Sequence, residues 1–264
     1  LPISAASGAT SGTAELESAE QAAEQRDHGE YQQAEQSLLL ARKVYQRAAD
    51  IGRSDASIYN AIAETWILKS RLDIFQNRPP IEALSEAISA CEKSHISTPN
   101  DAAAYTNSAY SYFWLAWNQI RNGKDPLGSI NQLITQGNTA IKLNPNDEYA
   151  YDAIGNGYLA QGNYERNVGQ NPEESWRKAE EYLQKAIQLA PSFPWAFNDL
   201  GLVYLERGRY LDDTGKDATT AHLQAINYFT KSIDIYPSDS SVRTNLIIEY
   251  AILARNNYLH GKNP

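Results

Sequence analysis

Apolar and small residues recur along this chain at spacings of three and four, the signature of helices that bury one face. Between 148 and 189, Tyr151, Ile154, Gly155 and Tyr158 share one helix face; Ala179, Leu183, Ala186 and Ile187 share another, closed by Pro191. The next stretch repeats the order with Phe197, Leu200, Gly201 and Tyr204, then Ala225, Phe229 and Ile233, closed by Pro237. A glycine weakens a helix by about 1 kcal/mol. The recurrence of Gly155, Gly201 and Ala186 in register therefore points to helix backbones that approach closely.

The pattern has a fixed period. Pro99, Pro145, Pro191 and Pro237 stand 46 residues apart, as do Tyr59, Tyr105, Tyr151 and Phe197. A third series, Pro80, Pro126 and Pro172, continues at Ala218. Proline is tolerated in a first helical turn, where its missing N–H would have no helical partner, so this series marks the start of each second helix. Asp125 and Asn171 supply capping residues just before it, and Asn77 and Gly123 suit the turns. Each unit is predicted to be a hairpin of about 20 and about 18 residues, roughly 30 and 27 Å long by helix rise.

The register places hairpins at 56–97, 102–143, 148–189 and 194–235. A less regular one at 14–50 carries Gly29, Tyr31, Ala34, Leu38 and Ala41, and a capping helix at 240–259 carries Leu246, Ile247 and Tyr250. Arg243 stands at the aromatic place of that last helix, as expected where a terminal helix has one unpacked face. The fold class is all-α: a right-handed superhelical α-solenoid of stacked antiparallel hairpins, about eleven helices in one domain over 14–259. Residues 1–13, small and polar, read as a flexible tether and 260–264 as a tail. A start at Leu1 and the lack of Met read as a fragment of a longer polypeptide or a processed product.

These residues resemble the tetratricopeptide repeat. Its two-helix unit runs aromatic, Leu, Gly, Tyr, a turn Gly, then Ala, an aromatic, Ala and a terminal Pro. Tyr151, Ile154, Gly155, Tyr158, Gly162, Ala179, Leu183, Ala186 and Pro191 follow that order. So do Phe197, Leu200, Gly201, Tyr204, Gly208, Ala225, Phe229, Ser232 and Pro237. Weaker matches run through Tyr105, Tyr112, Ala140 and Pro145, and through Tyr59, Ile62, Ala63, Ala87 and Pro99. The family's unit has 34 residues; the 12 extra here fall between Gly162 and Ala179 and at equivalent places, read as longer helices around a displaced turn. Stretched units with Asp-Pro before the second helix look like arrays attached to bacterial signalling proteins.

Charge narrows the choice of partner. With 23 Lys plus Arg against 32 Asp plus Glu the net charge is −9, which repels phosphate backbones, so no nucleic acid is expected. No stretch approaches 18 consecutive apolar residues, so no membrane insertion is expected. A soluble, cytoplasmic chain is the expectation. Cys91 is the single cysteine, which rules out an internal disulfide, and its register place reads as a small buried thiol.

No residues assemble into chemistry, and neither cofactor, metal nor enzyme activity is expected. His28, His95, His222 and His260 are scattered: His28 and His95 fall near helix ends, His222 has no obvious acidic partner, and His260 lies in the tail. Gly155-Asn156-Gly157 lacks the strand and third glycine of a dinucleotide site, and Gly123-Lys124-Asp125 and Gly215-Lys216-Asp217 are turns. Glu173 and Glu174 complement a helix dipole. A helical-toroid carbohydrate-active enzyme is a minor alternative: such rings need about twelve helices and more varied loops.

A superhelical stack lines its concave side with first helices. With Tyr151, Ile154, Gly155 and Tyr158 packed, the groove positions become Tyr149, Asp152, Asn156 and Leu159. The equivalent sets are Asn60, Glu64 and Ile67; Thr106, Tyr110, Phe113 and Trp114; and Trp195, Asn198, Leu202 and Leu205, with Thr244 continuing the row. The polar members are expected to hold an extended backbone and the aromatics to form pockets. Some peptide-binding members of the family clamp two carboxylates with Lys, Asn and Arg; Asn60, Thr106, Asp152 and Asn198 lack the cations, which puts such a clamp in doubt. The expected function is a non-enzymatic module binding a peptide or protein segment in its groove, within a larger signalling or scaffold protein. The alternative is an architectural spacer or a self-association domain, forming a homo-oligomer through the solenoid ends.

Overall fold

Aspartates, prolines and left-handed turn residues divide the chain into helices of two alternating lengths. The computed structural model describes residues 31–51 and 55–259. Ten α-helices follow one another there: α1 (Tyr31–Asp50), α2 (Ala56–Phe75), α3 (Ile81–Ser97), α4 (Ala102–Arg121), α5 (Leu127–Leu143), α6 (Glu148–Asn167), α7 (Glu173–Leu189), α8 (Pro194–Asp213), α9 (Thr219–Ile235) and α10 (Ser240–Leu259). Among the described residues there is no strand. The tether at 1–13, the first helix expected from 14, His28, Gly29 and the tail with His260 lie outside the described residues.

The 46-residue period is a series of local stop and start signals. Asp55, Asp101 and Asp147 cap α2, α4 and α6, their carboxylates accepting from Ser57, Ala103, and Tyr149 plus Ala150 N–H groups. Asp239 does the same for Ser241 and Val242 at the head of α10. At the head of α8 the cap residue is Phe193, and Pro194 opens the helix instead. The second helices differ from expectation by one position. Pro80, Pro126 and Pro172 sit at the cap itself rather than in the first turn. The preceding Asp125, Asn171 and Asp217 reach across that residue to the N–H groups of Leu127, Glu173 and Thr219.

The turns after α2, α4, α6 and α8 each carry a residue in the left-handed region: Asn77 at φ 59°, Gly123 at 64°, Gly169 at 76° and Gly215 at 69°. The N–H one residue later returns to a carbonyl five residues back, as from Lys124 to Gln119 at 2.8 Å and from Gln170 to Glu165 at 2.7 Å. Gly162 and Gly208, matched above to a turn glycine, lie instead inside α6 and α8. The longer helices move the turn to Gly169 and Gly215. The two older positions become seats for a large side chain from the second helix.

The chain forms two compact units, one ending at Pro145 and one beginning at Asn146. In the first, α2 packs with α3 and α4 with α5, and α1 lies on α2. Ala34, Leu38, Leu68 and Leu72 form one cluster, and Ile62, Ala63, Ala90 and Cys91 another. A charge network braces α1 on α2: Lys69 lies 2.6 Å from Asp73 and 3.5 Å from Glu35, and Arg78 lies 2.8 Å from Asp73 and 3.2 Å from Glu35. In the second unit α6 packs with α7, α8 with α9, and α10 lies on α9. Trp176, Ala179, Leu183, Leu200 and Val203 make its main cluster, continued by Leu205, Ala225, Phe229 and Val242.

Small residues on the first helices set how closely each pair approaches. A Cβ on Gly155 would lie 2.6 Å from Leu183 Cγ, and one on Gly201 would lie 2.6 Å from the Phe229 ring. The seats at Gly162 and Gly208 are equally tight, with Trp176 at 2.5 Å and His222 at 2.6 Å. Close packing is therefore the role of Gly155, Gly162, Gly201 and Gly208.

Candidate functional site

The polar members of the predicted groove row are drawn into contacts between neighbouring first helices. In the first unit Asn60, buried, donates from Nδ2 to Asp101 Oδ2 at 2.6 Å, and Asn107 donates to Glu64 Oε1 at 3.3 Å. In the second unit Asn156, also buried, donates to Asp199 Oδ2 at 2.6 Å and to the Asp152 carbonyl and carboxylate at 3.2 and 3.1 Å. Asn198 donates to Asp199 Oδ1 at 2.8 Å. Thr106 is buried with its hydroxyl on the Ala102 carbonyl, and exposed Thr244 bonds the Ser240 carbonyl in the same way. Buried polar groups require partners, and here the next first helix, or the same helix, supplies them. Asn60, Asn156 and Asn198 thus have their amide donors engaged, while Asn60 Oδ1 and Asn198 Oδ1 lack a hydrogen-bond partner among the described residues.

The apolar members divide. Ile67, Leu159 and Leu205 are buried, Tyr110 is buried, and half-buried Leu202 packs against the clusters of the second unit. Phe113 and Trp114 stay half-buried on α4, edge to face at 4.9 Å, and Trp114 meets Trp117 at 6.0 Å. The Arg71 guanidinium lies 5.4 Å from the Trp114 ring and that of Arg121 lies 4.7 Å from the Trp117 ring. Close by, Asn77, Arg78, Asn118, Arg121 and Lys124 line an open cleft of about 360 Å³. It gathers cations in a chain that is acidic overall. In the second unit Tyr149 meets Phe193 at 4.8 Å, Phe193 meets Trp195 at 5.4 Å, and Trp195 faces Tyr236 at 6.4 Å.

His222 requires a correction. It has two acidic partners: Nδ1 lies 2.8 Å from Glu249 Oε2 and Nε2 lies 3.0 Å from Asp212 Oδ2. The imidazole and the Glu249 side chain are fully buried, and Asp212 also accepts from Asn256 Nδ2 at 3.1 Å. Burial alone would favour the neutral ring, but hydrogen bonds and charge from Glu249 and Asp212 outweigh it and hold the imidazole above its ordinary value of 6.5. These partners lie 27 and 10 residues away, on α10 and α8, so only the packing brings them together. His95, placed near a helix end, stacks on Tyr105 at 4.1 Å; burial holds it below its usual range. The Cys91 thiol is buried and pushed up to about 12 by that burial, which makes it an inert packing group.

Among the described residues no group of three or more His, Cys, Asp or Glu side chains is placed to hold a metal ion. No described helix is long and apolar enough to cross a membrane.

Comparison with solved structures defines the class. A thermophilic tetratricopeptide-repeat protein of Thermus thermophilus superposes with a TM-score of 0.55 at 18% identity, over 90% of this chain and 100% of that one. PilF of Pseudomonas aeruginosa superposes with a TM-score of 0.44 at 14% identity, over 92% of each chain. The first of these superpositions shows the tetratricopeptide-repeat fold, here with 46-residue units. In sequence, the family described as "Plant specific mitochondrial import receptor subunit TOM20" matches residues 81–202. No curated protein matches the chain.

Proposed function

We propose that this chain is a protein-interaction module without catalytic chemistry of its own, and that it holds a short segment of its partner against the α2–α4 face of the first unit. The observation that carries this reading is the half-buried trio Phe113, Trp114 and Trp117, with Arg71 and Arg121 set over two of the rings. Aromatic and Arg side chains dominate the energetics of protein interfaces. Arg121 and Lys124 extend the face into the cationic cleft, so the favoured segment pairs bulky apolar side chains with acidic ones. The polar row contributes mainly by fixing the spacing of the first helices, with Glu64 and Asn198 at its margins. A receptor role accords with the family match over residues 81–202. Membership of a signalling or scaffold assembly belongs to the same proposal.

Panning a random peptide library against the chain tests this. Selected peptides are expected to share aromatic and acidic positions, and Trp114→Ala is expected to weaken the best of them about tenfold or more. Recovery of no consensus, or peptides indifferent to Trp114→Ala and Phe113→Ala in a chain of unchanged stability, would sink the reading.

A further inference from the structure

Three series of positions on the first helices receive the second helix of the same hairpin. Ala63, Ala109, Gly155 and Gly201 form one, Ser70, Ala116, Gly162 and Gly208 another, and all eight are buried. Trp66, Tyr112, Tyr158 and Tyr204 form the third, with Tyr158 stacked on Tyr182 and Tyr204 on Tyr228 of the covering helix. One period further on, α10 carries Ile247, Ala254 and Tyr250 at these places. There Ile247 is 69% exposed, Tyr250 54% exposed, and Ala254 exposed as well. The other side of α10 is seated, with Val242 and Glu249 buried against α9.

A second observation says what belongs on the bare side. His260, Gly261, Lys262, Asn263 and Pro264 repeat, in register, the turns Thr214 to Ala218, Val168 to Pro172 and Asn122 to Pro126. Each of those three turns leads directly into a 17-residue second helix that covers the face in question. We infer that α10 is the first helix of a further hairpin, and that its bare face seats a second helix carried by a longer form of this chain beyond residues 260–264.

Complementary size specifies that helix. Gly155 and Gly201 face the large Leu183 and Phe229, whereas Ala63 and Ala109 stand in register with the small Cys91 and Gly137. Ile247 is larger than any of the four, so the residue opposite it, eleventh in the missing helix, is Gly or Ala. Ala254 matches Ala116, whose register partner is Ile130, so the fourth residue is a large aliphatic. The helix α5, with Ile130 fourth and Gly137 eleventh, has this pattern; α9, with Phe229 eleventh, does not.

The test is to extend the 264-residue chain past Pro264 with the 17 residues of α5 or of α9 and to follow hydrogen exchange of the α10 amides. The α5 extension is expected to slow exchange across 240–259 about tenfold or more. The α9 extension is expected to leave exchange unchanged, since it sets Phe229 against Ile247 and His222, which sits over a glycine in its own hairpin, against Ala254. No protection by the α5 extension, or equal protection by both, would overturn the inference. So would a dimer of the 264-residue chain in light scattering that Ile247→Glu disperses, since a second copy would then be the natural cover.

Discussion

The hairpins α6–α7 and α8–α9 offer the same seat over a first-helix glycine and fill it with different chemistry. Over Gly162 lies Trp176, fully buried, whose indole N–H finds Asn163 Oδ1 at 3.1 Å within its own hairpin. Over Gly208 lies His222, fully buried as well, which needs Asp212 from α8 and Glu249 from α10. The repeat thus dictates the size of the plug and leaves its polarity open. Once the plug can carry charge, burial obliges neighbouring helices to supply acceptors, since an unpaired buried charge costs several kcal/mol. One plug finds its polar partner within its own hairpin, while its neighbour is also tied to α10.

Trp176→Ala breaks the first seat and is expected to have the largest effect, a loss of about 3–5 kcal/mol in urea unfolding, because the cavity lies over a helix that cannot collapse onto it. Next, Asn156→Ala removes a buried hydrogen bond to the Asp199 carboxylate and is expected to cost about 1.5–3 kcal/mol. If the chain keeps full stability with this change, the polar row is not structural and is free to serve a ligand instead. Gly162→Ala and Gly208→Ala sharpen the comparison between the two seats. Each drives a Cβ into the overlying ring, an overpacking of about 1–3 kcal/mol offset in part by roughly 1 kcal/mol of helix propensity. Equal losses would show that size alone governs the seat. Exposed Thr244→Ala is expected to stay within about 0.5 kcal/mol of the parent.

Periodicity made the repeat readable because prolines, capping residues and small residues act within a few positions of themselves. Pro99, Pro145, Pro191 and Pro237 each follow a helix end closely, so the hairpin is written locally. Contacts between helices of successive hairpins within a unit are less legible. Asn156 meets Asp199, and Asn107 meets Glu64, at an offset of 43 residues, one period less about one helical turn. An Asn and an acid recurring at that offset are the signal that could have exposed the ladder before the fold was known. The Asp55, Asp101, Asp147 and Asp239 caps share the 46-residue register of the prolines and carry the same local signal. His222 gave no such signal: Glu249 occurs once, on α10, and nothing local marks it as a partner.

The contrast between the two seats is most directly tested by the pH dependence of unfolding. The His222 pKa is raised in the folded chain, so its contribution is complete below the ordinary 6.5 and is lost as pH rises through the folded value. His95, shifted the other way, acts on the acid side of that window and is common to every variant compared. The urea midpoint of the parent chain is expected to fall, relative to that of His222→Gln, as pH rises from 6 through 8. Trp176→Phe is expected to track the parent slope throughout. Parallel profiles for the parent and His222→Gln would contradict a charged imidazole between Asp212 and Glu249.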